Sequence, residues 1–173
     1  MSTDRQYPIG KYIRPTQFDA AALQQHIQTI SDFPADIQKL ADALTPMQLN
    51  MSYRPGGWTS RQVIHHCADS HMNSFIRFKL ALTEDNPAIK PYMEAAWAEM
   101  ADYQQASITE SLQIIHGLHA RWTILLRNMQ EADFHKTVFH PQQDRTIPLY
   151  ALTALYAWHC KHHLAHINLV LNS

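Results

Sequence analysis

Four histidines fall within the eight residues from His159 to His166, near the C-terminus of the sequence. They form two pairs with a spacing of four residues, His159 with His163 and His162 with His166. In a helix, this spacing stacks two imidazoles one turn apart on one face, where they can chelate a divalent metal ion. Because histidine makes up 12 of the 173 residues, some pairs arise by chance. Their position in the helix therefore decides whether they form a site.

The helix that carries these pairs is predicted to run from about Pro148 to Leu171. A helical wheel places all four histidines on the apolar side, with Ala154 and Ala157 among the residues on the opposite side. Each buried imidazole carries a donor and an acceptor that cost free energy when unmet, and a metal is the simplest common partner. The wheel does not choose between the two pairs.

A second helix is predicted to begin at the capping box Thr59–Gln62 and to end near Thr83. Polar residues form one stripe along it: His66, Asp69, Ser70, Asn73 and Arg77. Such a stripe is more often a solvated face than a functional one. Here it borders the apolar positions of a largely buried helix and contains a potential ligand, His66.

Two further long helices complete a predicted four-helix bundle. One spans Asp19 to Leu44 and is expected to be interrupted or kinked near Pro34. The other begins at a third capping box, Ser107–Glu110, and carries His119 within a strictly periodic apolar face. The remaining expectations are an extended arm at 1–17, a short turn from Thr45, a connection at 84–106 with a helical turn near 92–100, and a small β-hairpin within 134–147.

Composition narrows the class of protein. The length of 173 residues suits a single domain spanning 1–173, and the net charge of −1 gives no basic surface for nucleic acid. No apolar run approaches the ~20 residues of a membrane span, and the first residues lack a signal-peptide pattern. A cytoplasmic location is expected, with Cys67 and Cys160 kept as thiols and Cys67 serving as a small buried packing residue.

The segment from Arg54 to Ser74, RPGGWTSRQVIHHCADSHMNS, resembles the signature of the DinB-like superfamily. The similarity is closest to its YfiT-like branch of metal-dependent hydrolases and extends over nearly the whole chain from Tyr7. In that family a metal-binding histidine follows the tryptophan by eight residues, which selects His66 after Trp58. The family's closing pattern, His-x-x-x-His followed by an aliphatic residue, selects the pair His162 and His166.

The resemblance implies an all-α four-helix bundle and a homodimer acting on a small-molecule substrate. It also implies one divalent metal per subunit, held by His66, His162 and His166. Three imidazoles suit zinc, which is expected, and also nickel. Three neutral ligands leave the full positive charge on the ion and an open position for water, as in catalytic zinc sites.

No His-Glu-x-x-His motif supplies a general base. Asp69 lies one turn from His66, where it can act as a base, orient an imidazole or simply bond its neighbours. The open coordination position is expected to face a pocket bordered by Asp69, Asn73 and His119.

Three functions are compatible with these features. The first is hydrolysis of an amide or ester by metal-activated water. The second is metal-dependent transfer of a low-molecular-weight thiol to an electrophile. The third is a non-catalytic metal-binding dimer of a stress response.

Overall fold

Four long helices form a bundle in a computed structural model that describes residues 4–173. They are α1 (Ala20–Ala43), α3 (Ser60–Thr83), α6 (Ile108–Asn128) and α8 (Leu149–Leu171). The shorter elements are α2 (Pro46–Leu49), α4 (Glu94–Trp97), α5 (Ala101–Gln105), α7 (Glu131–His135) and the strands β1 (Thr137–His140) and β2 (Arg145–Pro148). The predicted all-α bundle with a hairpin before the last helix is confirmed.

The helix starts follow the capping residues. Thr45 and Thr59 each accept from the third helical backbone N–H, and the glutamine at that position bonds back to the cap, as predicted. The third predicted capping box is wrong, because Ser107 accepts from the backbone N–H of Thr109 instead and Glu110 makes no reciprocal bond. The helix nevertheless begins at the expected place.

Helix α1 passes through Pro34 without a break, so the expected interruption is wrong, while the alternative of a kink stays a prediction. A proline has no N–H to donate and therefore leaves the carbonyl four residues earlier, at Ile30, without its helical partner. Burial of Ile27, Ile30, Phe33 and Ile37 on one face keeps the helix in place across the proline.

The hairpin is antiparallel, with Thr137 opposite Pro148 and His140 opposite Arg145. Its turn is one 3-10 turn followed by Asp144, whose φ of 44° lies in the left-handed region. Strand β2 leads directly into α8, so the hairpin fixes where the last helix begins.

The N-terminal segment lies along α8. The Tyr12 hydroxyl donates to the Ala151 carbonyl at 2.8 Å, and the Trp158 indole donates to the Gly10 carbonyl at 3.2 Å. The wheel assigned Ala154 and Ala157 to the side away from the core, yet they are 7% and 2% exposed, because this segment and α1 cover them. Residues 1–3 of the predicted arm lie outside the described residues.

The core lies between the four long helices. Its largest fully buried side chains include Ile30, Phe33, Phe78, Ile115, Trp122, Leu126, Leu152 and Ile167. Cys67 and Cys160 are buried as free thiols, as predicted. Over residues 4–173, no helix combines the length and apolar character needed to cross a bilayer.

Candidate metal centre

Five histidines from α3 and α8 line one cavity of about 420 Å³. They are His66, His159, His162, His163 and His166. His66 lies in the second turn of α3 because the capping box fixes where that helix begins, and the other four extend from the middle of α8 towards its C-terminal end. The prediction that all four histidines of α8 face inward is confirmed, since each lines this cavity.

Three ring nitrogens in this cavity are spaced as ligands of one ion would be. Nε2 of His159 lies 3.1 Å from Nε2 of His66 and 3.2 Å from Nε2 of His163. Two nitrogens bound tetrahedrally to zinc at about 2.0–2.1 Å are separated by about 3.3 Å. Both pairs that include His159 therefore already have nearly the spacing that a zinc ion requires, and ligand atoms of all three histidines lie within 4.8 Å of one another.

A second close group consists of His162, His163 and His166. Nδ1 of His166 lies 3.4 Å from Nδ1 of His163, and its Nε2–H donates to the Gln6 carbonyl at 3.2 Å. Among residues 4–173, His66 forms a compact ligand group with His159 and His163 but not with His162 and His166. The predicted ligands His66, His162 and His166 therefore line one cavity, but they are not close enough together to form one ligand group.

Aromatic rings hold these imidazoles in place. Tyr53 stacks on His166 with 3.8 Å between ring centroids, and Trp158 stacks on His162 at 4.3 Å. The ring of Trp58 lies 4.6 Å from that of His66. Tyr53 and Trp58 belong to one tight loop, in which Gly56 has a φ of 67° that disfavours any residue with a side chain.

Burial keeps the five imidazoles neutral. It lowers the pKa of His66 to about 3 and the pKa values of His162 and His166 to about 4. The pKa values of His159 and His163 also lie well below the usual range, first through burial and then through the neighbouring imidazoles. Neutral imidazole is the form that binds a metal, so these side chains are in the protonation state that coordination requires near pH 7.

The rest of the lining contains both polar and apolar side chains. Ser70 and Tyr156 lie in the wall, and the Tyr156 hydroxyl donates to the Ser70 carbonyl at 3.1 Å. Arg77, Glu94 and Arg145 also line the cavity. Within the described chain, neither close-set histidine group contains a carboxylate, so an ion bound there would keep its full charge.

Asp69 is turned away from this cavity. Its Oδ2 accepts from the Tyr103 hydroxyl at 2.7 Å, on the side of α3 that faces α5. Burial raises the pKa of Asp69, and the Tyr103 hydrogen bond opposes that shift. Neither Asp69 nor Asn73 is among the lining residues, and His119 lies at a separate groove, so the predicted border of the pocket is wrong.

His71 is a site residue that the sequence reasoning missed. It is fully buried, with Nε2 2.9 Å from Nδ1 of His159 and Nδ1 2.7 Å from Nε2 of His119. His71 follows His66 by five residues, which puts it on a different face of α3, and no ligand spacing signals it. The feature of the sequence that could have pointed to His71 is the large number of histidines at helix positions that face the core.

Residues 29–167 match the DinB superfamily. The chain belongs to this superfamily. Two members of the superfamily are similar to this chain over most of its length, and each is named "putative metal-dependent hydrolase". The one from Geobacillus kaustophilus is 49% identical over 161 residues, which are 93% of this chain and 90% of the relative. The one from Bacillus subtilis, YfiT, is 45% identical over 166 residues, 96% of this chain and 93% of its own.

Solved structures agree with the DinB assignment. Bacillus subtilis YfiT, described as a probable metal-dependent hydrolase with an unusual four-helix bundle topology, superposes with a TM-score of 0.93 at 44% identity. The match covers 96% of this chain and 95% of that one. A mycothiol-dependent maleylpyruvate isomerase shares the fold at 17% identity, with a TM-score of 0.66 over 84% of this chain and 60% of its own.

Proposed function

We propose that the protein is a hydrolase whose divalent metal ion is bound by Nε2 of His66, His159 and His163. The observation that carries the proposal is that Nε2 of His159 lies 3.1 Å and 3.2 Å from the other two nitrogens, in a cavity of neutral imidazoles. Two close relatives named as metal-dependent hydrolases support the reaction class.

The surroundings of His163 support this ligand set. The Nε2–H of His166 donates to the Gln6 carbonyl, so Nδ1 of a neutral His166 is an acceptor. It faces Nδ1 of His163 at 3.4 Å and therefore favours a proton on that nitrogen. This leaves the Nε2 lone pair of His163 free for the ion, which is how ligating histidines are usually oriented. His166 then orients a ligand and is not one itself.

When bound, a divalent ion with three neutral ligands lowers the pKa of a bound water molecule towards ~7 and supplies a nucleophile. The protein's own residues shape what reaches it. A volume of about 420 Å³ admits a small molecule. Arg77 and Arg145 outnumber the single carboxylate of Glu94 in the lining, which favours a substrate with an anionic group.

The competing ligand set is the one predicted from the family pattern, His66, His162 and His166. Two single variants separate the sets. His159→Ala should lose stoichiometric zinc after equilibrium dialysis, whereas His162→Ala should retain it. The reverse result would establish the competing set. Retention of zinc by His66→Ala would show that the ion is held by α8 alone, and it would overturn both sets.

Zinc is the proposed metal, with nickel as the alternative that the same ligands accept. The activity test compares zinc- and nickel-loaded protein on anionic and neutral p-nitrophenyl esters and anilides. A parallel panel of small thiols with a generic electrophile tests thiol transfer. Hydrolysis that disappears in His159→Ala supports the proposal. Turnover only in the thiol panel would show that the protein is a thiol transferase and not a hydrolase. No turnover in either panel would favour a non-catalytic metal-binding protein.

Assembly as a homodimer belongs to the same proposal and is supported by the family resemblance. Light scattering coupled to size-exclusion chromatography would test it, and a mass of 20.0 kDa in solution would refute it. The cytoplasmic location also stays a prediction.

A further inference from the structure

The carbonyl released by Pro34 has a specific partner. Ile30 is fully buried, and its oxygen lacks the helical N–H that Pro34 cannot supply. The Nδ1–H of His119, from α6, donates to this oxygen at 2.7 Å. A buried carbonyl left without a donor would cost free energy, so the proline and the histidine belong to one arrangement.

This contact dictates the direction of the next two hydrogen bonds. A carbonyl oxygen can only accept, so His119 carries its proton on Nδ1 and, being neutral, exposes a lone pair on Nε2. Nδ1 of His71 lies 2.7 Å from Nε2 of His119 and must be the donor. Nε2 of a neutral His71 is then an acceptor, and it lies 2.9 Å from Nδ1 of His159. His159 therefore donates through Nδ1.

We propose that Pro34, His119 and His71 form a positioning relay that holds His159 in its Nδ1–H tautomer, with the Nε2 lone pair aimed at His66 and His163. The metal-binding part of this inference rests on the proposed function. The tautomer part does not, because it follows from the chain of hydrogen bonds that begins at the Ile30 carbonyl.

The surroundings of the relay favour neutral rings. The ring of Phe33 lies 5.0 Å from that of His71 and 5.2 Å from that of His119, and Trp122 and Tyr156 complete the enclosure. Burial lowers the pKa of His119 to about 4. Within residues 4–173, no carboxylate is hydrogen-bonded or ion-paired to either histidine. A proton added to the relay would have no counter-charge.

The first experiment reads the tautomers directly. Two-bond proton–nitrogen correlation spectra of the uniformly ¹⁵N-labelled, metal-free full chain near pH 7.5 distinguish Nδ1–H from Nε2–H imidazoles. We expect the Nδ1–H form at His119, His71 and His159. A predominantly Nε2–H His159 would overturn the relay whether or not the cluster binds metal.

The second experiment uses a matched pair of variants. His119→Gln can donate to Ile30 and accept from His71, whereas His119→Leu can do neither. Zinc affinity, measured by competition with a chromophoric chelator, should fall roughly 10- to 100-fold in the leucine variant and recover in the glutamine variant, as expected for a group that orients a ligand. His65→Leu removes another buried histidine of α3, one that bonds Ser111, and should leave the His159 tautomer unchanged.

A role limited to packing predicts a different result, because leucine fits an apolar enclosure at least as well as glutamine. Equal affinity in wild type and His119→Leu, or equal losses in both variants, would overturn the proposal. If His119→Leu does not fold, the tautomers measured in the wild-type protein still test whether the relay exists. If wild type binds no zinc, the metal-centre proposal fails while the tautomer result stands.

Discussion

Acid should destabilise the metal-free protein well above the pH at which carboxylates protonate. Burial lowers the pKa of His66 to about 3 and that of His119 to about 4. Both values lie below the ~6.5 of an unfolded histidine. Between these limits the unfolded chain binds more protons than the folded one, so the free energy of unfolding decreases as the pH falls.

The size of the effect follows from the same values. Moving from pH 7.0 to pH 5.0 protonates each histidine in the unfolded chain but not in the fold, which costs about 2 kcal/mol per group. His66 and His119 are 2% and 1% exposed, so solvent screening reduces this little. Together they account for about 4 kcal/mol, a large share of the ~5–15 kcal/mol typical of a domain.

Urea denaturation of chelator-treated protein, followed by circular dichroism at both pH values, measures this loss. His119→Gln removes one of the two groups while keeping its hydrogen bonds, so its loss should be smaller by about 2 kcal/mol. A wild-type decrease of less than about 1 kcal/mol would refute the reasoning, as would an unchanged decrease in the glutamine variant.

Two other predictions concern zinc binding and the carboxylate of Asp69. Zinc at 100 times its dissociation constant should raise the free energy of unfolding by about 2.7 kcal/mol in urea titrations, because it binds only the folded cluster, and His66→Ala should abolish this increase. Asp69→Asn should keep wild-type zinc content and turnover in dialysis and rate assays, because Asp69 faces Tyr103 and lies outside the cavity. A large loss of turnover in that variant would contradict this prediction and show that Asp69 takes part in the reaction.

The helices were predictable because local signals agree with the packing. The capping residues Thr45 and Thr59 place helix starts correctly, and apolar spacing identifies the buried faces of α1, α3 and α6. The break expected at Pro34 was wrong because tertiary packing keeps α1 continuous and His119, 89 residues away in sequence, satisfies the freed carbonyl. No local pattern contains that contact.

The sequence identifies the histidines that can bind a metal, but spacing does not show which pair on α8 joins His66. Spacing alone left the two pairs on α8 open, since both face the cavity. What separates them in the structure is which pair lies beside His66 on α3, and that depends on how far α8 is rotated and shifted against its neighbour. The N-terminal segment contributes to this placement by contacting α8 at Ala151 and Trp158, a contact without any sequence signature.

The distribution of the cluster along the chain has a consequence for biosynthesis. His66 precedes His159 by 93 residues, and His166 contacts Gln6 across 160 residues. At roughly 5–20 residues per second, a ribosome exposes His66 about 5–20 seconds before α8 is available. During that interval His66 is the one member of the five-histidine cavity lining that has been synthesised. The histidine cluster can therefore assemble only after the last helix has emerged and docked.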